Sequence, residues 1–520
     1  MTAIAQPATK RLTYSQYVSF AGKPLLVRSN SLAILNHTSS FFSAWDEGAA
    51  PEHPAAELRL MRREVGHNSA ENAPRFRGRG YFALARFTHA DSVWFNLRTC
   101  RACGFFSDAV VSDESRWHKD ILPAVAGILA PTIAVVPVHA ACLAKSGSGI
   151  LLAGRSGVGK STLAVTLARR GYRYLADDWT YLAQRQTGVG AWSIPAPVKL
   201  LPDATGYFPE LASYSCAQSL NGELAYEVSP QRCLGLSREH HCLVRCLVLL
   251  DRRHQPGISI SRVTATEAVN RLSSELEPLT GPLASAYWAQ IELLSGLLDS
   301  VCLRASFNAS PQEVASRIDD ILADIFSPER LALSARHGSS APATYRGAHT
   351  LSGYAMTELT QDAHAAPSDA IAAARPDIAQ HTDMMCRRIA LDLEAHCEWR
   401  GMAVRIDTNS PAILRAAHEW GFRPASCAGS GIDLHMEFVI DDIDDRAKGV
   451  SSLRVLRDEQ TVFIETGEQA WFAFDTETGS GAGFLAAAES EEAVEAYFRA
   501  VAAVIEPLLR RPIEAEDRDD

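Results

Sequence analysis

The sequence has no excess of basic residues. Its 50 Lys and Arg are outnumbered by 61 Asp and Glu, giving a formal net charge of -11. That balance argues against nucleic acid as the main partner, because phosphate backbones attract basic surfaces. An apolar leader is also lacking: MTAIAQPATKRLTYSQY holds no hydrophobic core of the signal-peptide kind. The motif Cys100-Arg101-Ala102-Cys103 has no second CxxC to complete a zinc site and no thioredoxin-like pattern around it. The 11 cysteines are odd in number and scattered, and read as free thiols in a reducing, cytoplasmic setting. His240-His241-Cys242 with Cys246 lies where a core strand begins, and reads as buried thiol beside surface histidine rather than a metal site. No uninterrupted apolar run has the length of a membrane span. The nearest candidate, Ile121 to Ala144, is broken by Pro123, Pro131 and Pro137. A buried helix, a proline break and a buried strand fit it better.

What the sequence does have is length and apolar material. It runs to 520 residues, 47% of them hydrophobic. That length suggests about three or four domains. Four collinear similarities divide it. Asn30-Ser31-Leu32-Ala33-Ile34-Leu35 recurs as Asn409-Ser410-Pro411-Ala412-Ile413-Leu414, and Gly104-Phe105-Phe106 as Gly483-Phe484-Leu485. Trp94-Phe95-Asn96-Leu97 resembles Trp471-Phe472-Ala473-Phe474, and the run from Ala124 to Pro131 resembles that from Ala500 to Pro507. The expected order is a small α+β domain over 1–133, a nucleotide-binding domain over 134–327, a linker with a helix over 328–395, a second copy of the α+β domain over 396–511, and an acidic tail over 512–520. Within the linker, Asp383 to Arg400 reads as a helix ended by Gly401.

The central segment carries the chemistry. Gly149-Ile150-Leu151-Leu152-Ala153 is a short apolar strand. Gly154-Arg155-Ser156-Gly157-Val158-Gly159-Lys160-Ser161 then fits G-x-x-x-x-G-K-[ST] without deviation, and Thr162 leads into a helix. Glycines let backbone N–H groups curl around phosphate oxygens, and the helix N-terminus adds positive potential. Lys160 reaches the outer phosphates of ATP, and Ser161 offers a hydroxyl to Mg²⁺. Tyr172 to Ala176 reads as the next strand, with Asp177-Asp178 at its end. Adjacent carboxylates on opposite sides of a strand can divide labour, one holding the metal and one taking a proton. Ser310-Pro311-Gln312-Glu313 reads as a capping box before a closing helix.

Only 17 residues separate Lys160 from Asp177, whereas an ordinary P-loop ATPase places its metal-directing aspartate after a more distant strand. That compact order resembles the HPr kinase/phosphorylase family and, more distantly, ATP-dependent phosphoenolpyruvate carboxykinase. The likeness to the HPr kinase C-terminal domain includes "RRGYRYLADD" and His139, and covers about residues 134 to 327. It implies an α/β P-loop kinase domain, here flanked by two small α+β domains, that uses ATP and Mg²⁺. By this resemblance Gly154 to Ser161 bind ATP, Ser161 and Asp178 hold Mg²⁺, and Asp177 takes the proton from a serine hydroxyl. His139 would lie beside the transferring phosphoryl group; by position alone it reads equally as a core histidine at a strand start. The acceptor implied is a serine on a protein, a peptide or a small molecule, and the family's hexamers imply a possible homo-oligomer. The sequence also departs from the family. Its "AWSIPAPVKLLPDATGYFPEL" contains neither the Arg-Gly nor the Glu of the family signature, and "NGELAYEVSP" stands near the place of a basic loop. These departures leave open whether the family's phosphorolysis accompanies the kinase reaction. Lys199 reads as a solvated strand residue rather than a phosphate contact. The alternative reading is a module that binds or hydrolyses ATP and gates a partner, without phosphotransferase activity.

Overall fold

The computed structural model describes residues 12–45, 51–63, 74–88, 90–218, 223–277, 279, 281–325, 385, 387, 389–425, 432–441, 453–466, 470–486 and 491–509. The expected tail, 512–520, and most of the expected linker lie outside these residues.

The first sheet opens with a hairpin of Tyr14–Phe20 (β1) and Lys23–Ser29 (β2). Its turn residues Ala21 and Gly22 are both left-handed, at φ 50° and 75°. Two such residues give a turn whose twist matches that of paired strands. Helix α1 (Leu32–Phe41) follows, burying Ile34, Leu35 and Phe41. The remaining strands are β3 (Ser43–Ala44), β4 (Ala56–Arg63), β5 (Arg75–Arg79), β6 (Phe82–Arg86), β7 (Ser92–Asn96) and β8 (Arg101–Ser107). They assemble in the order β3-β1-β2-β4-β8-β7-β6-β5. Strands β2, β4 and β8 are parallel, and β8 to β5 form an antiparallel meander.

Helix α2 (Leu122–Leu129) and a short turn over Ala130–Ile133 lead into β9 (Val135–Lys145). Among the described residues, no helix is long and apolar enough to cross a membrane. The central sheet adds β10 (Ser148–Ala153), β11 (Arg173–Ala176), β12 (Trp179–Arg185), β13 (Gly188–Trp192), β17 (His241–Arg252), β18 (Gly257–Arg262) and β19 (Val301–Asn308). A small sheet of β14 (Val198–Leu200), β15 (Ala217–Gln218) and β16 (Leu224–Val228) lies beside it. Strand β10 pairs with β9 on one side and runs parallel to β17 on the other, the arrangement that places a phosphate loop at a strand's C-terminal edge. Two apolar layers cover the sheet. Helices α3 (Lys160–Arg169) and α6 (Pro311–Ile325) join one, through Leu163, Leu167, Ile318 and Leu322. Helices α4 (Ala265–Ser273) and α5 (Ala284–Ser295) join the other, through Val269, Leu272, Ile291 and Leu294. The capping box is formed: Ser310 N–H donates to Glu313 Oε2 at 2.9 Å and Glu313 N–H donates to Ser310 Oγ at 3.3 Å.

The last sheet contains β20 (Leu393–Trp399), β21 (Met402–Thr408), β22 (Arg423–Pro424), β23 (Leu434–Asp441), β24 (Leu453–Asp458), β25 (Thr461–Thr466), β26 (Ala470–Asp475) and β27 (Ser480–Ala486). Helix α7 (Pro411–Glu419) follows β21, and α8 (Glu491–Leu509) closes the unit. The strand order, β22-β20-β21-β23-β27-β26-β25-β24, is that of the first sheet element for element.

Three expectations need correction here. The helix over Asp383 to Arg400 is not formed where the structure describes it. Leu393–Trp399 is a strand, with exposed Glu394, His396 and Glu398 alternating with more buried neighbours. Gly401 ends no helix; with Arg400 it makes a left-handed turn, φ 55° and 82°, like that at Ala21-Gly22. The expected domain start at residue 396 therefore cuts through β20. Upstream, Gly78 N–H donates to Met385 O at 2.7 Å and Arg79 donates to the carbonyls of Arg387 and Ile389, so the end of the expected linker runs along edge strand β5. Finally, Trp94 does not correspond to Trp471. Trp94 faces Cys103 in its ladder and Ala473 faces Ala482, so Trp94 corresponds to Ala473. A slip of two preserves the face on which a strand residue stands, so the sequence pattern looked unbroken.

Candidate functional site

The glycine-rich loop expected to bind phosphate leaves the C-terminal end of β10. Gly154 is buried, and a Cβ there would stand 2.7 Å from the Leu250 carbonyl oxygen and 3.0 Å from Val158. Gly157 and Gly159 are left-handed, at φ 75° and 105°. Arg155, Ser156 and Gly157 face solvent, while Val158 anchors the loop in the core. Arg252, at the end of β17, donates from Nε to Val158 O at 3.1 Å and lies 4.9 Å over the Phe307 ring. Helix α3 begins at Lys160 with no side chain capping its first turn. Its N–H groups are therefore oriented as an anion site requires. Lys160 folds back on the loop, donating from Nζ to Gly154 O at 2.8 Å. Burial lowers its pKa, against the pull of Glu275 and Asp178. Thr162 lies partly buried in the first turn of the helix, its carbonyl accepting from Thr166 Oγ1.

The aspartate pair stands at the end of β11, and its members differ. Asp177 is buried, 4% exposed. It accepts hydrogen bonds from Tyr174 Oη at 2.7 Å, from the Lys199 backbone N–H at 3.0 Å and from the Ser161 hydroxyl. Burial pushes its pKa up to about 6 against these bonds, and the charge of Asp178 adds to the rise. Asp178 has a side chain 52% exposed and sits 2.9 Å from His139 Nε2. Burial would raise its pKa, but the His139 hydrogen bond and charge win, and it lies below the ordinary aspartate value. Lys199 Nζ pairs with Glu223 at 2.8 Å, and its charge adds to the lowering of the Asp178 pKa.

His139 lies on β9 between two carboxylates. Asp178 faces Nε2, and Glu275, just beyond α4, faces Nδ1 at 3.4 Å. These two hydrogen bonds raise its pKa to about 9. Glu275 also pairs with Arg271 at 3.0 Å. Trp179, 46% exposed, holds its ring 5.7 Å from that of His139. Beside the loop, Gly154, Asp251, Glu267, Asn270, Arg271 and Arg304 line a cavity of about 300 Å³.

The structure thus gathers His139, Lys160, Ser161, Asp177 and Asp178 at one sheet edge. Glu275, Arg252 and Trp179 join them without having been foreseen. Trp179 follows the aspartate pair directly and could have been flagged. Glu275 lies 97 residues beyond Asp178 and carries no local signal. The other motifs stand apart: Cys100 and Cys103 are buried in the first core, and Cys242 and Cys246 are buried in the central one.

The description "HPr Serine kinase C-terminal domain" matches residues 129–193. The chain carries an HPr kinase-like domain. The HPr kinase/phosphorylase of Geobacillus sp. (strain WCH70) is 41% identical over 78 residues, which is 15% of this chain and 24% of that protein. The putative HPr kinase/phosphorylase 2 of Oceanobacillus iheyensis is 58% identical over 99 residues, 19% of this chain and 28% of that protein. The chain therefore spans about a quarter of the length of these relatives. The solved structure of the Hpr(Ser) kinase/phosphatase from Coxiella burnetii is similar over 37% of this chain and 99% of that one, at 13% identity and a TM-score of 0.22. The match at 129–193 takes in β9, the loop and both aspartates.

Proposed function

We propose that the HPr kinase-like domain transfers the γ-phosphoryl group of ATP to a hydroxyl of a serine-bearing acceptor, and that the flanking units are two copies of one α+β domain that present the acceptor or a partner. The observation that carries this reading is the meeting of loop and aspartate pair: Ser161 touches Asp177, while Asp178 and His139 stand open beside Lys160. The residues fit the groups required. A loop with no room for a Cβ at Gly154, left-handed glycines at 157 and 159 and an uncapped helix N-terminus suit phosphates, and the Ser161 hydroxyl with the Asp177 carboxylate is a hard-oxygen set that suits Mg²⁺. When bound, Mg²⁺ neutralises charge on the outer phosphates.

The geometry favours exchanging the roles first expected for the two aspartates. Asp177 is buried and engaged by three donors, so no face of it meets an acceptor; it supports the metal side through Ser161. Asp178 is half exposed and is the carboxylate able to accept the acceptor's hydroxyl proton as the oxygen attacks phosphorus and the bond to the leaving ADP oxygen breaks. His139, hydrogen-bonded to Asp178, fixes that carboxylate and adds positive charge. Lys160 leaves the Gly154 carbonyl to meet the outer phosphates.

The test is incubation with [γ-³²P]ATP and serine-bearing proteins, peptides or free serine. Label on an acceptor is expected with the wild type. Asp178→Asn should lower transfer by about 10²–10⁴-fold, the range of a lost general base, with ATP binding retained. Undiminished transfer by Asp178→Asn removes its role as base. The family match stops at residue 193, short of the small sheet of β14 to β16, and this favours a second reading: an ATP-binding module that gates a partner. Release of free phosphate with no labelled acceptor supports that reading.

A further inference from the structure

The first and last sheets lie face to face. At the centre of their contact Trp94 meets Phe463 at 4.9 Å and Trp471 at 5.3 Å between ring centroids, and Trp471 stacks on Phe484. Charged pairs surround this apolar centre, as in a protein interface.

The charges follow a rule. Ladder register relates the two sheets by a shift of 379 residues along the meander strands. Three cross-sheet contacts join residues separated by that shift: Arg86 with Glu465 at 3.3 Å, Asn96 with Asp475 at 3.1 Å, and Arg98 with Glu477 at 2.7 Å. Equivalent positions that touch one another mark a pseudo-two-fold axis. Two further contacts are images of each other about that axis: Arg59 with Asp458, and Arg79 with Glu437 at 2.8 Å. Arg59 faces Cys103 in its ladder as Glu437 faces Ala482, and Arg79 faces Phe82 as Asp458 faces Thr461. In all five contacts the first sheet supplies Arg or Asn and the last supplies Asp or Glu. Most of these side chains are less than a quarter exposed, Glu477 being the exception. Water therefore screens them poorly.

A surface with two-fold symmetry ordinarily fits a second copy of itself. Here self-pairing is penalised. Two first sheets brought together the same way would set Arg86 on Arg86, Arg98 on Arg98 and Arg59 on Arg79. Two last sheets would set Glu465 on Glu465, Asp475 on Asp475 and Glu437 on Asp458. We propose that this face is a charge-coded interface, which accepts the opposite flanking unit and rejects its own kind. The inference rests on reading the flanking units as copies of one domain. It means that a first unit pairs with a last unit and that the apolar centre is closed to association of like units.

The test uses the full chain in three forms. Arg79→Glu with Arg86→Glu sets acid against acid at two of the five contacts; Glu437→Arg with Glu465→Arg sets base against base at the same two; the four changes together reverse both pairs. Hydrogen exchange should show strong loss of protection, at least tenfold in rate, in β6, β7, β25 and β26 for each double variant. The fourfold variant should return to wild-type protection, which also guards against simple misfolding of the doubles. Mixing acidic and basic doubles should give a heavier species by light scattering than either gives alone. The proposal is overturned if the doubles stay protected, if the fourfold variant remains as open as the doubles, or if the mixture gains no mass. Absence of protection in the wild type itself would instead refute the pairing of the two units, a separate failure.

Discussion

Asp177 and Asp178 are chemically identical and adjacent, yet the fold gives them different surroundings. One is buried among three donors and the other shares solvent with His139. His139 offers a direct check on the electrostatics. Its pKa is raised by the Asp178 and Glu275 hydrogen bonds to about 9, above the value of about 6.5 for an unfolded chain. A raised cationic group stabilises the fold fully below the unfolded pKa, and that contribution is lost as pH rises through the folded one. In the nucleotide- and metal-free protein, denaturation should therefore show His139→Gln less stable than wild type near pH 6, with the gap closing at pH values above about 9. A gap that widens with pH contradicts this account. Glu275→Gln removes one of the two carboxylates, so the His139 titration, followed by NMR, should move to lower pH. At this scale the sequence was legible for the loop, because Gly154, Lys160 and Ser161 must be contiguous to wrap a phosphate. It was illegible for Glu275, which reaches the site only because α4 packs across the sheet.

The hairpins show what a single element can carry. Gly22 and Gly401 occupy equivalent turns at nearly equal φ, 75° and 82°. A Cβ at Gly22 would meet Trp192 at 3.2 Å, whereas one at Gly401 would meet nothing within 4 Å. Alanine in the left-handed region costs about 1–2 kcal/mol by itself. Gly401→Ala should show roughly that loss in urea denaturation, and Gly22→Ala a larger one, because Trp192 of β13 must also move. Equal losses would show that the contact between hairpin and central unit is slack. These turns also explain the misread helix. Glycine both ends helices and closes hairpins, so Arg400-Gly401 carries either meaning in the sequence. The alternation of Leu393, Ala395 and Cys397 with charged neighbours was the competing signal, and it won because β21 offers a partner strand.

Across the whole molecule, the unit bearing the loop separates along the chain two sheets that share a topology and meet face to face in the fold. Salt should act unevenly on this arrangement. The exposed members of the rim, Glu459 and Glu477, are screened as the Debye length falls to about 3 Å at 1 M salt, while the apolar layers of the central sheet are not. Hydrogen exchange at low and at molar NaCl should show faster exchange in β6, β7, β25 and β26, with little change in β10 and β17. Uniform behaviour across all strands would remove electrostatics from the account of the pairing.

The sequence by itself determined the local features: the phosphate loop, the aspartate pair one helix later, the capping box and the broken apolar run before β9. Each depends on neighbours within a few residues, where hydrogen-bond geometry and backbone sterics act. Only the tertiary structure decided which aspartate is exposed, that Glu275 backs His139, and that Trp94 meets Trp471 rather than matching it. Burial and charge pairing belong to surfaces, and residues 379 apart share a surface only once the chain has folded.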